Sequence, residues 1–222
     1  MPVEITHSAD TIRSLIPMSD DQHQALAHFV TLLREWNTRV NLISRKDEEQ
    51  IWRNHILHCL ALLAVVELPD RGAMLDLGTG GGMPGIPLAI MRPDVRLTLV
   101  DATAKKIRAV EDMVARLGLA NVAVHWGRVE DDTLLEQCGR KMDVVLARAV
   151  TRLSALVRWS VPLLRPAGPR RLYVWKGGDV TEEIAEARRH GAVHSMRVIP
   201  IALTGEEYFL REEKKIIEVR FS

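Results

Sequence analysis

The spacing of apolar residues changes near residue 70 of the chain. Before that point they recur at helical intervals, and Ser19 with Gln22 predicts a capping box that opens a long amphipathic helix. A second helical stretch is expected over residues 48–66, because Pro69 follows it as a stop. Residues 1–70 are therefore predicted to form a helical cap whose apolar face needs a partner elsewhere in the chain.

After residue 70, short apolar runs alternate with segments of helical periodicity. Strands are predicted at residues 73–77, 95–100, 122–126, 143–147, 172–175, 193–201 and 216–221. Helices are predicted at residues 104–117, 151–164 and 181–190, the first capped by Thr103 and the last by Asp179. Strands that alternate with helices form a parallel sheet, since parallel neighbours need a long crossover connection.

The fold class that follows is α/β. No helical periodicity separates the last two predicted strands, which indicates a hairpin and one reversed strand. We expect residues 71–222 to form a Rossmann-like, mostly parallel seven-stranded sheet with one antiparallel strand, with the helical cap packed on it.

Charge and cysteine content narrow the class of protein. The 222 residues include 30 Lys and Arg against 29 Asp and Glu, so nucleic-acid binding cannot be argued from net charge and needs a local basic surface. The two cysteines have no metal or redox spacing, and no apolar run reaches the roughly 20 residues of a membrane span. The opening sequence MPVEITHSAD lacks the basic and apolar parts of a signal peptide. We expect a monomeric cytoplasmic protein without a metal site or membrane association.

A glycine-rich turn follows the first predicted strand, in the sequence MLDLGTGGGMPGIP at residues 74–87. Gly78 and Gly80 belong to this turn, and Pro84 suits the start of the helix after it. Glycines remove side chains, so a ligand can lie against the backbone. The turn alone is weak support for any one ligand, because nicotinamide and flavin enzymes use the same pattern.

Asp76, two residues before the first glycine, favours one class of ligand over another. Its carboxylate would repel the pyrophosphate of a dinucleotide. S-adenosyl-L-methionine has an ammonium and a sulfonium and no phosphate, so a carboxylate favours it. The alternative is that Asp76 only bonds local N–H groups of the turn.

The ends of the next strands supply further candidates for a nucleoside site. Asp101 ends the second strand, where a carboxylate accepts from ribose hydroxyls or, alternatively, caps the following helix. Residues 127–130 follow the third strand and could frame an adenine. Arg148 ends the fourth strand and is predicted to face the same crevice, unless it is a solvated surface residue.

Several motifs together resemble a known family. DLGTGGGMPGIPLA at residues 76–89, GRVE at 127–130, DVVLARAV at 143–150 and WKG at 175–177 are similar to segments of the bacterial small-subunit ribosomal RNA methyltransferase G family, also called glucose-inhibited division protein B. WNTRVNL at residues 36–42 and HILH at 55–58 extend the resemblance over almost the whole chain from about residue 20. The combination is far more specific than the glycine turn alone.

The resemblance implies an enzyme that uses S-adenosyl-L-methionine to methylate N7 of a guanine in 16S ribosomal RNA, as naked RNA or in the small-subunit particle. It places the donor site at Gly78, Met83, Val129, Glu130 and Arg148. The family usually has Asp-Ser where this chain has His58-Cys59, so a polar contact of the cap is expected to differ.

Methylation at guanine N7 needs no proton removed, since N7 has a lone pair at neutral pH; positioning then suffices, and no catalytic base is predicted. RNA contact is expected from basic residues between 140 and 176, above all Arg148 and Lys176 at the crevice. The basic residues are Arg140, Lys141, Arg148, Arg152, Arg158, Arg165, Arg170, Arg171 and Lys176. The five tryptophans, including Trp36 and Trp126, are expected in the core.

Three alternatives stay open. One is a methyltransferase of the same fold that acts on a small molecule or a protein. Another is a nicotinamide-dependent oxidoreductase, which Asp76 disfavours. The last is a non-catalytic RNA-binding module, which would leave the predicted crevice without a role.

Overall fold

The computed structural model describes residues 9–222. Residues 1–8, which begin the predicted cap and hold most of the segment considered as a signal peptide, lie outside the described residues. The α-helices of the described chain are α1 (Ala9–Leu15), α2 (Asp20–Asn37), α3 (His58–Val65), α4 (Gly85–Met91), α5 (Ala104–Leu117), α6 (Asp132–Cys138), α7 (Leu153–Ser160), α8 (Thr181–Ala187) and α9 (Tyr208–Arg211). The strands are β1 (Gly72–Leu77), β2 (Val95–Asp101), β3 (Val122–Trp126), β4 (Val144–Arg148), β5 (Arg171–Lys176), β6 (Val193–Pro200) and β7 (Lys215–Phe221).

The strands form one seven-stranded sheet in the order β3-β2-β1-β4-β5-β7-β6. The first five pair in parallel, and β7 runs antiparallel to both of its neighbours, β5 and β6. The predicted fold class, with its single reversed strand, is therefore confirmed. Each predicted strand also agrees with the structure to within one residue at either end.

The helical predictions are less accurate. The stretch predicted as one helix over residues 48–66 consists of a π-helix, Trp52–Leu57, that continues into α3. The helix predicted at 151–164 is confined to Leu153–Ser160, and the polar segment before β7 contains the short helix α9, which was not predicted. Helix ends depend on capping and tertiary contacts that apolar periodicity does not record.

The predicted caps also differ in detail. Thr103 is the N-cap of α5 but its side chain makes no capping bond. The Asp101 carboxylate accepts from the Thr103 backbone N–H instead, at 2.8 Å. Val180, rather than Asp179, is the N-cap of α8, although Asp179 accepts from the Thr181 N–H at 2.9 Å.

The helical cap packs on one face of the sheet through α4 and α5. The capping box of Ser19 and Gln22 is confirmed, and the Gln22 side chain also donates to the Met91 carbonyl at the end of α4, at 3.1 Å. The Trp36 indole donates to Asp112 on α5 at 2.7 Å. Buried residues of the cap and of the sheet form one hydrophobic core, so the expected partner of the cap's apolar face is the sheet with its helices. The division into residues 1–70 and 71–222 stays a prediction.

The chain reverses its order in the sheet between β1 and β4, and the carboxyl ends of these two strands bound the crevice that the sequence predicts. Helices α4 and α5 bury one face of the sheet, as shown by Ile86 and Val110 in the core with the cap. Helices α6 to α8 bury the other face, where Leu134, Leu156 and Ala187 pack. Ligands of such sheets bind outside the carboxyl ends of the strands at this reversal. Within residues 9–222, no helix combines the length and apolarity that crossing a bilayer requires.

Candidate functional site

The turn between β1 and α4 has an open position at Gly80. Gly78 and Gly80 have φ values of +73° and +57°, a region that favours glycine. A Cβ on Gly80 would meet only the Gly78 carbonyl, at 4.0 Å, whereas a Cβ on Gly78 would lie 2.7 Å from the Val150 side chain. The backbone of the turn is therefore open to a ligand at Gly80. Residue 78 must be a glycine because the chain passes directly beneath the Val150 side chain there.

Asp76 lies under this turn rather than on its surface. Its side chain is fully buried, and Oδ2 accepts from the Thr79 hydroxyl at 2.6 Å and the Gly85 N–H at 2.9 Å. The alternative that Asp76 only bonds local groups of the turn is thus correct for Oδ2. The other, Oδ1, is buried and has no hydrogen-bond partner among the described residues.

The charge of Asp76 is also not the fixed charge that the sequence predicted. Burial raises the pKa of this carboxyl to about 7, although bonds from Thr79 and Gly85 act in the opposite direction. Desolvation disfavours the charged form, so the carboxyl is only partly ionised at neutral pH. A cation that approached Oδ1 would favour ionisation.

Asp101 joins the glycine turn to the end of β2. Its Oδ2 accepts from the Gly80 N–H at 3.0 Å, and its Oδ1 accepts from the Thr103 N–H at 2.8 Å. The residue is only 9% exposed, and two backbone donors hold its carboxylate between the glycine turn and the start of α5. The two roles weighed from the sequence, ligand acceptor and helix cap, are compatible in this arrangement.

Val129 and Glu130 lie in the turn between β3 and α6. Val129 is buried in the core beneath α6 and α7, whereas Glu130 is exposed.

The prediction that the tryptophans are core residues is wrong for Trp126, which is 68% exposed. Trp126 ends the edge strand of the sheet, and its indole donates to the Ala102 carbonyl at 3.1 Å. It therefore stands beside Asp101 at the rim of the crevice.

Arg148 ends β4 and points toward the cap instead of toward solvent. Its Nη2 donates to the Asn54 carbonyl and to His55 Nδ1, both at 2.9 Å. Its Nη1 lies 3.5 Å from Cys59 Sγ and 3.8 Å from Met83 Sδ. Among the described residues, no carboxylate lies within 4 Å of this guanidinium. The surface-residue alternative for Arg148 is therefore wrong.

Three residues of the cap surround Arg148, namely His55, His58 and Cys59. Burial and the nearby guanidinium lower the pKa of His55 to about 4 and lower the pKa of His58 well below its usual value. Burial raises the pKa of the Cys59 thiol to about 11. Both imidazoles are thus neutral, and Cys59 is a thiol. The HILH segment gave a signal for this cluster, but nothing in it pointed to Arg148 as the partner.

Lys176 lies at the end of β5, as predicted, but its charge is already matched. Its ammonium donates to Glu183 on α8 at 2.7 Å and to the Thr151 carbonyl at 3.1 Å. The sequence did not indicate this ion pair, because Glu183 approaches only when α8 packs on α7. A role of Lys176 in RNA contact remains a prediction.

The basic group between residues 140 and 176 is divided between opposite ends of the sheet. Arg140, Lys141 and Arg165 line a cavity at the amino ends of the strands, whereas Arg148 and Lys176 end β4 and β5. A strand of five or six residues spans roughly 17 Å, so these residues do not form one patch. Arg165 also pairs with Asp143 at 3.0 Å. The spacing of these basic residues in the sequence could not show that they lie at opposite ends of the sheet.

Solved structures share the architecture. A predicted O-methyltransferase from Agrobacterium tumefaciens matches with a TM-score of 0.57 and 16% identity, over 73% of this chain and 80% of that one. Fibrillarin from Aeropyrum pernix, solved with natively bound S-adenosyl-L-methionine, matches with a TM-score of 0.53 and 18% identity, over 73% of each chain. At these identities the likeness shows the fold alone.

Relatives matched by sequence have a higher identity to this chain than these structures. The ribosomal RNA small subunit methyltransferase G of Chlorobium luteolum is 43% identical over 177 residues, which cover 80% of this chain and 71% of the relative. The protein of the same name from Chlorobium limicola is 37% identical over 213 residues, 94% of this chain and 93% of the relative. The family model described as GidB, rRNA small subunit methyltransferase G, matches residues 22–213. The chain therefore belongs to the GidB family of rRNA small subunit methyltransferase G proteins.

Proposed function

We propose that this protein transfers the methyl group of S-adenosyl-L-methionine to N7 of a guanine in 16S ribosomal RNA of the small subunit. Family membership supports methyl transfer to this RNA. The structural observation that supports it most is the bridge made by Asp101, which accepts from the Gly80 N–H of the glycine turn and from the Thr103 N–H at the start of α5. The family and the matched structures give no support to the oxidoreductase alternative.

The residues of the glycine turn fit the proposed donor. Asp76 Oδ1 is a buried acceptor without a partner among the described residues, which suits a ligand that is cationic and lacks phosphate. Asp101 is the proposed acceptor for the ribose hydroxyls, and Gly80 leaves room for the ligand beside the backbone. Val129 and Glu130 are the proposed frame for the adenine. When bound, the donor supplies an electrophilic methyl group on its sulfonium.

The proposed acceptor needs little from the protein beyond positioning. Guanine N7 has a lone pair at neutral pH, so no residue has to remove a proton before methyl transfer. Covalent catalysis by Cys59 is disfavoured, because burial raises the pKa of its thiol to about 11 and the thiol, unlike the thiolate, is a poor nucleophile. Met83 and Arg148, whose side chains lie 3.8 Å apart beside the glycine turn, are further proposed donor-site residues. We propose that the enzyme acts as a monomer in the cytoplasm.

A substrate panel tests this proposal. The protein is incubated with methyl-labelled donor and, in separate reactions, with unmodified small-subunit particles, purified 16S RNA and total cellular protein. We expect label in the RNA of the particles and, at donor concentrations near the wild-type Kd, much less label with Asp101→Ala, while Asp94→Ala, at the opposite end of β2, behaves as the wild type. Label only in protein, or none in any arm, would contradict the proposal.

A further inference from the structure

A second cavity lies beside the donor turn, at the carboxyl ends of β4 and β5. It has a volume of about 370 Å³ and is walled by the cap, by the strand ends and by the segment around α9. We call it the β4–β5 cavity; its lining residues are Asp47, Asn54, His55, His58, Arg148, Ala149, Trp175, Lys176, Gly177, Tyr208 and Lys214. Arg148 joins it to the donor turn through the contact with Met83 at 3.8 Å. Its volume is that of a small-molecule pocket.

The lining of the cavity contains polar groups that the fold does not satisfy. Nε2 of His55 and Nε2 of His58 are both buried, and neither has a hydrogen-bond partner among the described residues. Lys214 is half-buried, and no carboxylate of the described chain lies within 4 Å of its ammonium. Unsatisfied buried groups are rare in folded proteins, so their concentration here indicates a polar ligand.

Asp47 is the only carboxylate among the described residues that line the cavity. Its two oxygens are positioned by the Ser44 hydroxyl at 2.7 Å and by the Asn54 amide at 3.0 Å. These bonds, and the nearby charge of Arg148, hold the pKa of Asp47 below its usual value despite partial burial. Each carboxylate oxygen can accept more than one bond, so Asp47 remains able to accept from a ligand.

We propose that the β4–β5 cavity receives the acceptor guanine, that Asp47 accepts from its N1–H and N2–H₂ groups, and that Lys214 binds a phosphate of the same nucleotide. The inference rests on the proposed function and adds the means by which the base is recognised. Guanine is the base whose Watson–Crick edge presents two adjacent donors, which a carboxylate matches, whereas adenine presents an amino group beside an acceptor. A base must leave its stack to enter such a pocket.

Asp47 would also act on the reaction itself. Transfer of the methyl group forms the N7–carbon bond, breaks the sulfur–carbon bond and leaves the positive charge on the guanine ring. A fixed negative charge against the opposite edge of that ring stabilises the developing charge. Asp47→Asn should therefore lower the rate at saturating RNA as well as the affinity for RNA.

The test compares Asp47→Asn with Asp132→Asn, a change at an exposed carboxylate on α6. Methyl transfer is measured on small-subunit particles reconstituted with guanosine or with inosine, which lacks the N2 amino group, at the target position. We expect the wild type to prefer guanosine by roughly tenfold or more, and Asp47→Asn to lose most of this preference while its affinity for the methyl donor is unchanged. Asp132→Asn should match the wild type in every measurement.

Lys214→Gln keeps the proposal testable if Asp47→Asn does not fold. It should raise KM for the particle and reduce the salt dependence of binding, with kcat little changed. Equal preference for guanosine over inosine in the wild type and Asp47→Asn, or an unchanged salt slope in Lys214→Gln, would overturn the inference while leaving the proposed function in place. A wild-type protein that methylates neither particle overturns both.

Discussion

The guanidinium of Arg148 donates to Nδ1 of His55 at 2.9 Å. Arginine has no acceptor, so Nδ1 must hold a lone pair and the imidazole must be neutral, with its proton on Nε2. Nε2 in turn lies 3.9 Å from Asp47. The end of β4, beside the proposed donor site, is thus held in place by an imidazole of the cap, and protonation of that imidazole would break the contact.

Removing the imidazole should destabilise the protein. His55→Phe keeps an aromatic ring but leaves the partly buried Arg148 with only the Asn54 carbonyl as a strong acceptor. We expect a loss of about 1.5–3 kcal/mol in the free energy of unfolding, as for hydrogen bonds to charged groups. Urea denaturation measures it. His55→Gln, which retains an acceptor, should recover part of the loss, and the exposed control His28→Phe should change little.

The same contact predicts how stability depends on pH. Folded His55 binds a proton more weakly than unfolded His55, because its pKa falls from 6.5 to about 4. Its contribution to stability is therefore complete above about pH 6.5 and is lost as the pH falls toward 4. Subtracting the pH profile of His55→Phe from that of the wild type isolates this loss. A flat difference between pH 6.5 and 4 would contradict the assignment.

Asp76 should make donor binding depend on pH. Since burial raises its pKa to about 7, the carboxyl is mostly neutral at pH 6 and mostly ionised at pH 8. A cationic donor prefers the ionised form, so affinity should rise by up to about tenfold over this range. Calorimetry on Asp76→Asn provides the control, because the donor's own amine titrates equally in both experiments. If donor affinity depends on pH in the same way in the wild type and in Asp76→Asn, Asp76 is not part of the donor site.

Asp101→Ala should weaken donor binding more than it weakens the fold. The change removes the proposed ribose acceptor and the acceptor that holds the Gly80 N–H. We expect a loss of about 2 kcal/mol in binding free energy, or roughly thirtyfold in Kd. Calorimetric titration measures this loss, with Asp94→Ala as the matched control because Asp94 lies just before β2 and pairs with Arg92. Unchanged affinity in Asp101→Ala would place the ribose elsewhere.

The fluorescence of Trp126 should report occupancy of the donor site. Its indole is 68% exposed and bonded to the Ala102 carbonyl, next to Asp101. Donor binding should change the emission of the wild type, and Trp126→Phe should abolish most of that change. Trp159→Phe, at the end of α7, should retain it. An equal response in both variants would show that the ligand does not approach the end of β3.

The centre of the sheet was predictable from the sequence because β1, β4 and β5 are short apolar runs between turns, and burial on both faces produces such a run. The placement of Asp101 beside the glycine turn was predictable for a similar reason, since both lie at the ends of neighbouring strands; their roles in donor binding stay predictions. The orientation of Arg148 and the Lys176–Glu183 pair were not, because each partner lies on an element that approaches only in the folded chain. Trp126 is exposed because β3 is an edge strand of the sheet. Local periodicity does not reveal the order of the strands, so the sequence could not predict this exposure.

The identity of the methylated atom decides whether the protein is a guanine-N7 methyltransferase. Unmodified small-subunit particles are treated with the protein and methyl-labelled donor, and the RNA is digested to nucleosides that are separated and weighed by mass spectrometry. We expect the label to be recovered as 7-methylguanosine from 16S RNA, at one position. Label recovered in another nucleoside, or at another atom of guanosine, would contradict this expectation.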